Sequence, residues 1–187
     1  MTIDEIIKNR RAVFPAQYND KEIPKSEIEQ ILENANWAPT HKKTQPWRFK
    51  VFRGDALDRL GIFLADWYKA NTPSDKYKEI KFKKTRQKPS KSSCVIAICM
   101  QPDPSLPEWE ELAATACAVQ NMWLTCSVRK IGCYWSSPKS IHDFDSFYAL
   151  EEGEKCIGLF YMGYYDDENL TPGTRNPIES RTVWVTE

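Results

Sequence analysis

Cys94-Val95-Ile96-Ala97-Ile98-Cys99-Met100 is the longest apolar run in the chain and the stretch that decides its fold. The run is too short for a buried helix and has no polar alternation, so it is typical of a strand covered on both faces. We therefore predict that residues 94–100 form the central strand of a sheet, with Cys94 and Cys99 pointing to opposite faces.

The segments before this strand begin with two helical patterns. Thr2 and Glu5 match a capping box, which predicts a first helix that runs to about Arg11. A second helix is predicted from near Pro24 to a point before Pro39, because a proline disfavours helical geometry in the residue that precedes it.

Three further elements are expected between that helix and the central strand. Residues 47–51 alternate apolar and basic side chains, which predicts a strand with one solvated face. Apolar residues between 57 and 67 recur at helical spacing, and another helix is predicted over 74–86. Two helices should therefore connect strand 47–51 with strand 94–100.

The segments after the central strand predict a long helix and two more strands. Residues 107–129 begin with glutamates and end with basic side chains, as the helix dipole favours. Strands are predicted at 131–135 and 156–164, separated by a short helix that opens at Ser137-Pro138.

The length of 187 residues favours a single domain over residues 1–187. Its last part, residues 165–187, shows no helical period yet ends in the apolar tip Thr182-Val183-Trp184-Val185. We expect an extended tail that docks on the surface of a second subunit, because an apolar terminus needs a partner surface to become ordered.

The 26 basic and 26 acidic residues cancel, so the overall charge provides no attraction to nucleic acid or to an anionic membrane. No stretch reaches the roughly 18 apolar residues that span a bilayer, and residues 1–8 carry acids where an export signal has basic residues. We interpret the six cysteines as free thiols of a cytoplasmic protein. Without a Cys-x-x-Cys pair, no metal site is expected.

Three separate clusters could carry binding chemistry. Arg10-Arg11 lies at a predicted helix end, where two guanidinium groups can hold a phosphate, although a basic helix cap explains the pair equally. The loop 38–47 contains two prolines and places hydrogen-bond donors beside Trp47. Such a loop can bind a planar heterocycle, but an ordinary surface loop explains it as well. Residues 132–137 join a strand to a helix, where free backbone N–H groups can bind phosphate or be capped by Ser137.

In order and spacing, these clusters resemble the motifs of the nitroreductase family. The matching motifs are Arg10-Arg11, Ala38-Pro39-Thr40-His41 with Gln45-Pro46-Trp47, and Gly132 with Trp135-Ser136. The likeness extends to the Ala-rich helix 107–129, the strand 158–163 and Arg175-Asn176-Pro177-Ile178-Glu179, so it spans nearly the whole chain.

The resemblance implies an α+β fold with a mixed sheet flanked by helices, in an intertwined homodimer with FMN sites at the subunit interface. It also implies an oxidoreductase that moves hydride from NADH or NADPH to a small electron acceptor, such as a nitroaromatic or a quinone, in a ping-pong reaction that needs no catalytic side chain. The cofactor-binding residues that it implies are Arg10, Arg11, Ala12, Trp37, His41, Gln45, Trp135, Ser136, Ser137 and Arg175.

Other interpretations stay open at this point. Residues 76–91 hold eight Lys or Arg against one Glu, with Tyr77 and Phe82 interleaved, as in a nucleic-acid-binding module. A solvated helix face or a patch that attracts anionic ligands explains that run as well. Within the family, a flavin-binding protein with dehalogenase activity or without turnover is a further alternative. Ala12 and Ser136 depart from the family pattern, which has serine and, in similar members, arginine at these positions.

Overall fold

The computed structural model describes residues 1–166, 170–171 and 173–187. Its helices are α1 (Ile3–Asn9), α2 (Lys25–Asn36), α3 (Asp55–Ala70), α4 (Glu79–Ser90) and α5 (Glu108–Val128), and its strands are β1 (Trp47–Phe52), β2 (Cys94–Met100), β3 (Ile131–Ser136) and β4 (Lys155–Tyr164). Short 3-10 turns occur at Pro15–Gln17, His41–Lys43, Lys139–Ser146 and Ile178–Arg181.

The four strands form one sheet in the order β1-β2-β4-β3, which confirms the predicted α+β class and the interior position of β2. Each neighbouring pair is antiparallel, although a mixed sheet was expected. The connections explain this arrangement. The α3–α4 hairpin returns the chain to the end of the sheet where β1 stopped, so β2 runs antiparallel to β1. The single helix α5 carries the chain back across the sheet, so β3 has the same direction as β2, and β4 lies antiparallel between them.

The core consists of two apolar layers, one on each face of the sheet. Helices α2 and α5 cover one face, which includes Ile96 and Met162, and α3 with the 139–146 turn covers the other, which includes Val95 and Tyr161. Every residue of β2 is buried, as predicted for a strand covered on both sides. Cys94 and Cys99 belong to different layers, as their spacing predicted.

Most predicted elements are confirmed, and three boundaries differ. The capping box of Thr2 and Glu5 is present, but α1 stops at Asn9 because the chain then extends along β3. Helix α4 covers 79–90 rather than 74–86, since the backbone N–H of Lys78 donates to the Tyr68 hydroxyl and the helix starts only after it. The helix expected at Ser137-Pro138 is a 3-10 turn that begins at Lys139, with Pro138 as its cap.

None of the helices in the described ranges is both long and apolar enough to cross a membrane. The predicted tail includes residues 167–169 and 172, which lie outside the described residues. Its tip is exposed within one protomer, with Trp184 86% accessible to solvent.

Candidate functional site

Three arginines meet at one cavity of about 780 Å³. Arg10, Arg11 and Arg175 line it, and no carboxylate of a described residue does. The pKa of Arg10 lies below its ordinary value because burial desolvates its guanidinium and because Arg175 and Arg11 repel its charge. A cluster of positive charges without a described carboxylate in the same lining favours an anion with several oxygens, such as a phosphate.

The two adjacent arginines have different roles. Arg11 donates to the carbonyls of Lys8 and Arg10 at 2.6 and 2.9 Å, which closes the end of α1, and to the carbonyl of Thr171 at 3.3 Å. The guanidinium of Arg10 instead lies 4.6 Å above the ring of Trp123 and donates no hydrogen bond to another described residue, although the backbone N–H of Arg10 donates to the carbonyl of Ile6. The helix-cap interpretation therefore applies to Arg11, whereas the donors of Arg10 remain available to a ligand.

The segment that carries these arginines is fastened to the edge of the sheet. The N–H of Val13 donates to the carbonyl of Cys133 at 3.1 Å, and the Tyr18 hydroxyl donates to the carbonyl of Val13 at 2.8 Å. Tyr18 packs so closely on Gly163 that an added Cβ would lie 2.5 Å from its ring. The segment that follows the two arginines therefore runs along the edge of β3.

The predicted residues at the end of β3 lie further along the same edge. From Cys133 to Ser136 the strand advances about 10 Å. The Trp135 indole is turned inward, with its Nε1 against Gly158, while Ser136 is half-buried and Ser137 is exposed. At this end of β3 the Trp135 side chain therefore packs on Gly158, whereas both serines are at least partly accessible to solvent.

The loop between α2 and β1 has an unusual backbone that its neighbours hold in place. Lys42, Lys43 and Gln45 have φ values of 48°, 60° and 49°, in the left-handed region that non-glycine residues rarely adopt. Thr40 and Thr44 are hydrogen-bonded at 2.9 Å, and Thr44 donates to the fully buried Glu111 at 2.8 Å. Strain of this kind is common where a loop presents functional groups.

The candidates on this loop lie apart from the arginines. His41 Nδ1 is 2.7 Å from the carboxylate of Glu110 in the first turn of α5, whereas Arg10 packs on Trp123 near the other end of that helix. The 13 residues between these contacts correspond to roughly 20 Å along the helix axis. Trp37 is 79% exposed, and its indole N–H donates to Glu33. One protomer therefore does not bring Trp37, His41 and Gln45 to the arginine cavity.

Sequence reasoning missed three residues that shape these surfaces. Glu111 looked like one of several helix-start acids, yet it occupies the buried stripe of α5 that continues through Thr115 and Ala118. That position in the helical period is the signal that could have revealed it. Trp123, which packs against Arg10, and Lys88, which lines a second cavity between α3 and α4, gave no comparable signal, because their roles depend on contacts with distant parts of the chain.

No group of three or more His, Cys, Asp or Glu in the described part of the chain is placed to hold a metal ion. The side chain of His142 is exposed. All six cysteines are free thiols. The groups available in the site are guanidinium, hydroxyl and backbone groups. Fold and site together describe an α+β protein with a candidate phosphate-binding edge.

Comparison with known proteins identifies the family. Residues 7–164 match the model of the Nitroreductase family. YfhC of Bacillus subtilis, provisionally described as an NAD(P)H nitroreductase, is 25% identical over 181 residues, which cover 95% of this chain and 91% of YfhC. The crystal structure of a nitroreductase-like family protein from Bacillus cereus superposes with a TM-score of 0.83 at 25% identity, covering 100% of this chain and 97% of that one.

A further structural relative shows the same fold at lower identity. It is the FMN-dependent nitroreductase NfnB from Mycobacterium smegmatis, solved in complex with NADPH, with a TM-score of 0.78 and 17% identity over 98% of this chain and 97% of NfnB. The chain belongs to the nitroreductase family, as its motifs predicted.

Proposed function

We propose that this protein is an FMN-dependent oxidoreductase that transfers hydride from NADH or NADPH to a small electron acceptor. The observation that carries the proposal is the arginine cavity, where three guanidinium groups converge and the pKa of Arg10 is lowered by burial and by its positive neighbours. A flavin phosphate would supply the missing negative charge. The name of NfnB, which describes an FMN-dependent enzyme, supports the same cofactor for this chain.

The residues present fit FMN in charge and in arrangement. Arg10, Arg11 and Arg175 would hold the phosphate, and the edge of β3 that leads from Cys133 to Ser136 would follow the ribityl chain toward the ring. The buried hydroxyl of Tyr134 on β3 is a polar group that no described residue satisfies with a hydrogen bond. Ala12 offers no side-chain donor, so the arginines must supply most of the phosphate contacts.

We further propose that two copies form the complete site. Within one protomer, His41 and Gln45 lie roughly 20 Å along α5 from the arginines, so the partner's loop is the natural source of a second wall. Helix α5 exposes Trp109, Leu112 and Val128, and the tail exposes Val183 to Val185. Exposed apolar side chains in these numbers favour burial against another subunit.

When bound, FMN supplies a centre that accepts hydride from the nicotinamide and then gives it to the acceptor, which makes a ping-pong order the expected kinetics. This chain's own residues bind and orient the ligands. The arginines neutralise the phosphate, and the loop anchored by Glu111 holds His41 and Gln45 as donors to a ring edge. We place this chemistry in the cytoplasm, where free thiols persist.

The alternative of a nucleic-acid-binding module has less support in the arrangement of residues 76–91. Four lysines of the run line a cavity between α3 and α4, and Lys83 is paired with Glu79, so the run does not present a continuous basic strip. Salt-sensitive retention of an oligonucleotide by a flavin-free protein would support that alternative. A flavoprotein without turnover or with dehalogenase activity would share the flavin spectrum and differ only in its acceptors.

The decisive experiment is reconstitution with FMN followed by removal of the unbound cofactor. We expect a yellow protein with one FMN per chain, bleached by NADH or NADPH without oxygen and recoloured by a nitroaromatic or a quinone. Sedimentation should give twice the mass of one chain. A colourless monomer in the presence of excess FMN would contradict the proposal.

A further inference from the structure

A second cavity, of about 690 Å³, lies between α3, α4 and the end of β3. It has a strongly basic lining and is hereafter the lysine cavity. Five lysines line it, namely Lys76, Lys78, Lys81, Lys88 and Lys139, and among the described residues no Asp or Glu does. Its volume is within the range of sites for small organic ligands.

The walls of the lysine cavity suit an aromatic ring. Leu64, Trp67, Tyr68 and Tyr161 form its apolar side, and Ser136 and Ser140 add hydroxyl groups to its lining. Ring faces and an aliphatic side chain favour a flat apolar body, whereas ammonium groups favour a negative charge attached to it. The lining as a whole therefore favours a small aromatic anion.

Lys88 is the most constrained cation in this lining. Its ammonium lies 4.7 Å from the ring centroids of both Tyr134 and Tyr161, which stack on each other at 5.2 Å. Burial without a carboxylate lowers the pKa of Lys88 to about 8. Lys81 is held in a similar way, 4.7 Å above the ring of Tyr68. Cations that rest on ring faces keep their hydrogen-bond donors available for an incoming anion.

We propose that the lysine cavity binds the carboxylate of a small aromatic electron acceptor, with Lys88 as its main ionic partner. That the ligand is an electron acceptor rests on the proposed oxidoreductase function. Ser136 links the two, because it belongs both to this cavity and to the candidate flavin edge. The binding of the anion itself rests only on the lining. A carboxylate in the cavity gives the half-buried ammonium of Lys88 the counter-charge that no described residue of the lining provides.

The proposal has a defined pH dependence. Lys88 faces Tyr134 and Tyr161 on the sheet, Lys81 and Thr85 on its own helix, Tyr68 on α3 and Lys139 on the turn after β3. Of these, Tyr161 has a pKa raised by burial, so it stays neutral. Binding of the anion requires protonated Lys88. Affinity should therefore be constant well below about pH 8 and fall roughly tenfold between about pH 7 and pH 9.

The test is equilibrium dialysis of the FMN-loaded protein with para-nitrobenzoate and with its uncharged analogue para-nitrobenzamide. We expect the carboxylate to bind at least about tenfold more tightly than the amide near pH 7. The variant Lys88→Met should lose this preference. The matched control Lys84→Met, on the exposed side of the same helix and outside the cavity lining, should keep it.

Equal affinity of the wild-type protein for the two ligands would overturn the proposal, as would equal losses in the Lys88 and Lys84 variants. Should Lys88→Met fail to fold, Lys81→Met and the pH series on the wild-type protein carry the same test. The FMN content of each sample separates the two claims. A colourless protein that still prefers the carboxylate would refute only the proposed oxidoreductase function, whereas a yellow protein bleached by NADPH without the preference would refute only the anion site.

Discussion

Replacement of Arg10 by methionine should weaken FMN binding and leave the folded protein nearly as stable as before. Arg10 lines the arginine cavity, lies over Trp123 and has its pKa lowered by burial and by repulsion from Arg175 and Arg11. Methionine keeps an apolar stem that can cover the indole. The substitution therefore removes a charge that no described carboxylate in the cavity lining balances.

The expected magnitudes follow from these contacts. A hydrogen bond between a guanidinium and a phosphate contributes about 1.5–3 kcal/mol, which corresponds to a rise of about 10- to 150-fold in the dissociation constant of FMN. Loss of the cation–π contact with Trp123 costs about 0.5–1 kcal/mol, and relief of the repulsion from Arg175 offsets part of it. The FMN-free protein should lose less than about 1 kcal/mol.

The assay is a titration of FMN-free protein by quenching of flavin fluorescence, together with urea unfolding without the cofactor. Arg59→Met is the matched control, because Arg59 is exposed on α3 and does not line the arginine cavity. The reasoning is refuted if the Arg10 and Arg59 variants bind FMN equally well. It is also refuted if Arg10→Met destabilises the FMN-free protein by more than about 2 kcal/mol, since Arg10 would then be a structural residue.

Three further predictions concern the elements around the site. Glu111→Gln should lower the free energy of unfolding in urea by roughly 1–3 kcal/mol. The two oxygens of the buried carboxylate accept from the Thr44 hydroxyl and from the Asp103 N–H, and the amide has an NH₂ group in place of one of them. Unchanged stability would contradict this role. Gly61→Ala should cost about 1–3 kcal/mol, because the new Cβ would lie 2.1 Å from the carbonyl oxygen of Arg86 where α3 and α4 pack. Asp66→Ala is the control, because Asp66 is exposed on the same helix. Equal unfolding midpoints for the two variants would show that α3 and α4 can move apart at Gly61 without a cost. Trp184→Ser should shift the protein toward the monomer in sedimentation, because the exposed tail tip is proposed to dock on the partner; an unchanged mass would argue against that docking.

The sequence determined most of the secondary structure because its signals are local. The uninterrupted apolar run of β2, the capping box of α1 and the charge gradient of α5 each depend on residues a few positions apart. The errors occurred where a distant group changed the outcome, as when the Tyr68 hydroxyl took the N–H of Lys78 and α4 began later than predicted.

The candidate site was predicted only in part, for the same reason. The pair Arg10-Arg11 was visible in the sequence, but only packing showed that Arg11 closes a helix while Arg10 faces a cavity shared with Arg175. The left-handed backbone of Lys42, Lys43 and Gln45 has no local signal, and the loop that contains it is anchored through Thr44 to Glu111, in another part of the chain.

By itself, the sequence determined the family, the α+β class and the position of the central strand, since motif spacing and hydrophobic period are properties of neighbouring residues. Tertiary structure alone decided that Lys88, one of many lysines on a helix without an apolar face, lies over two tyrosines at the edge of a cavity. The physical reason is that burial and electrostatic environment are set by residues far apart in the chain, which become neighbours only when α4 packs beside the sheet.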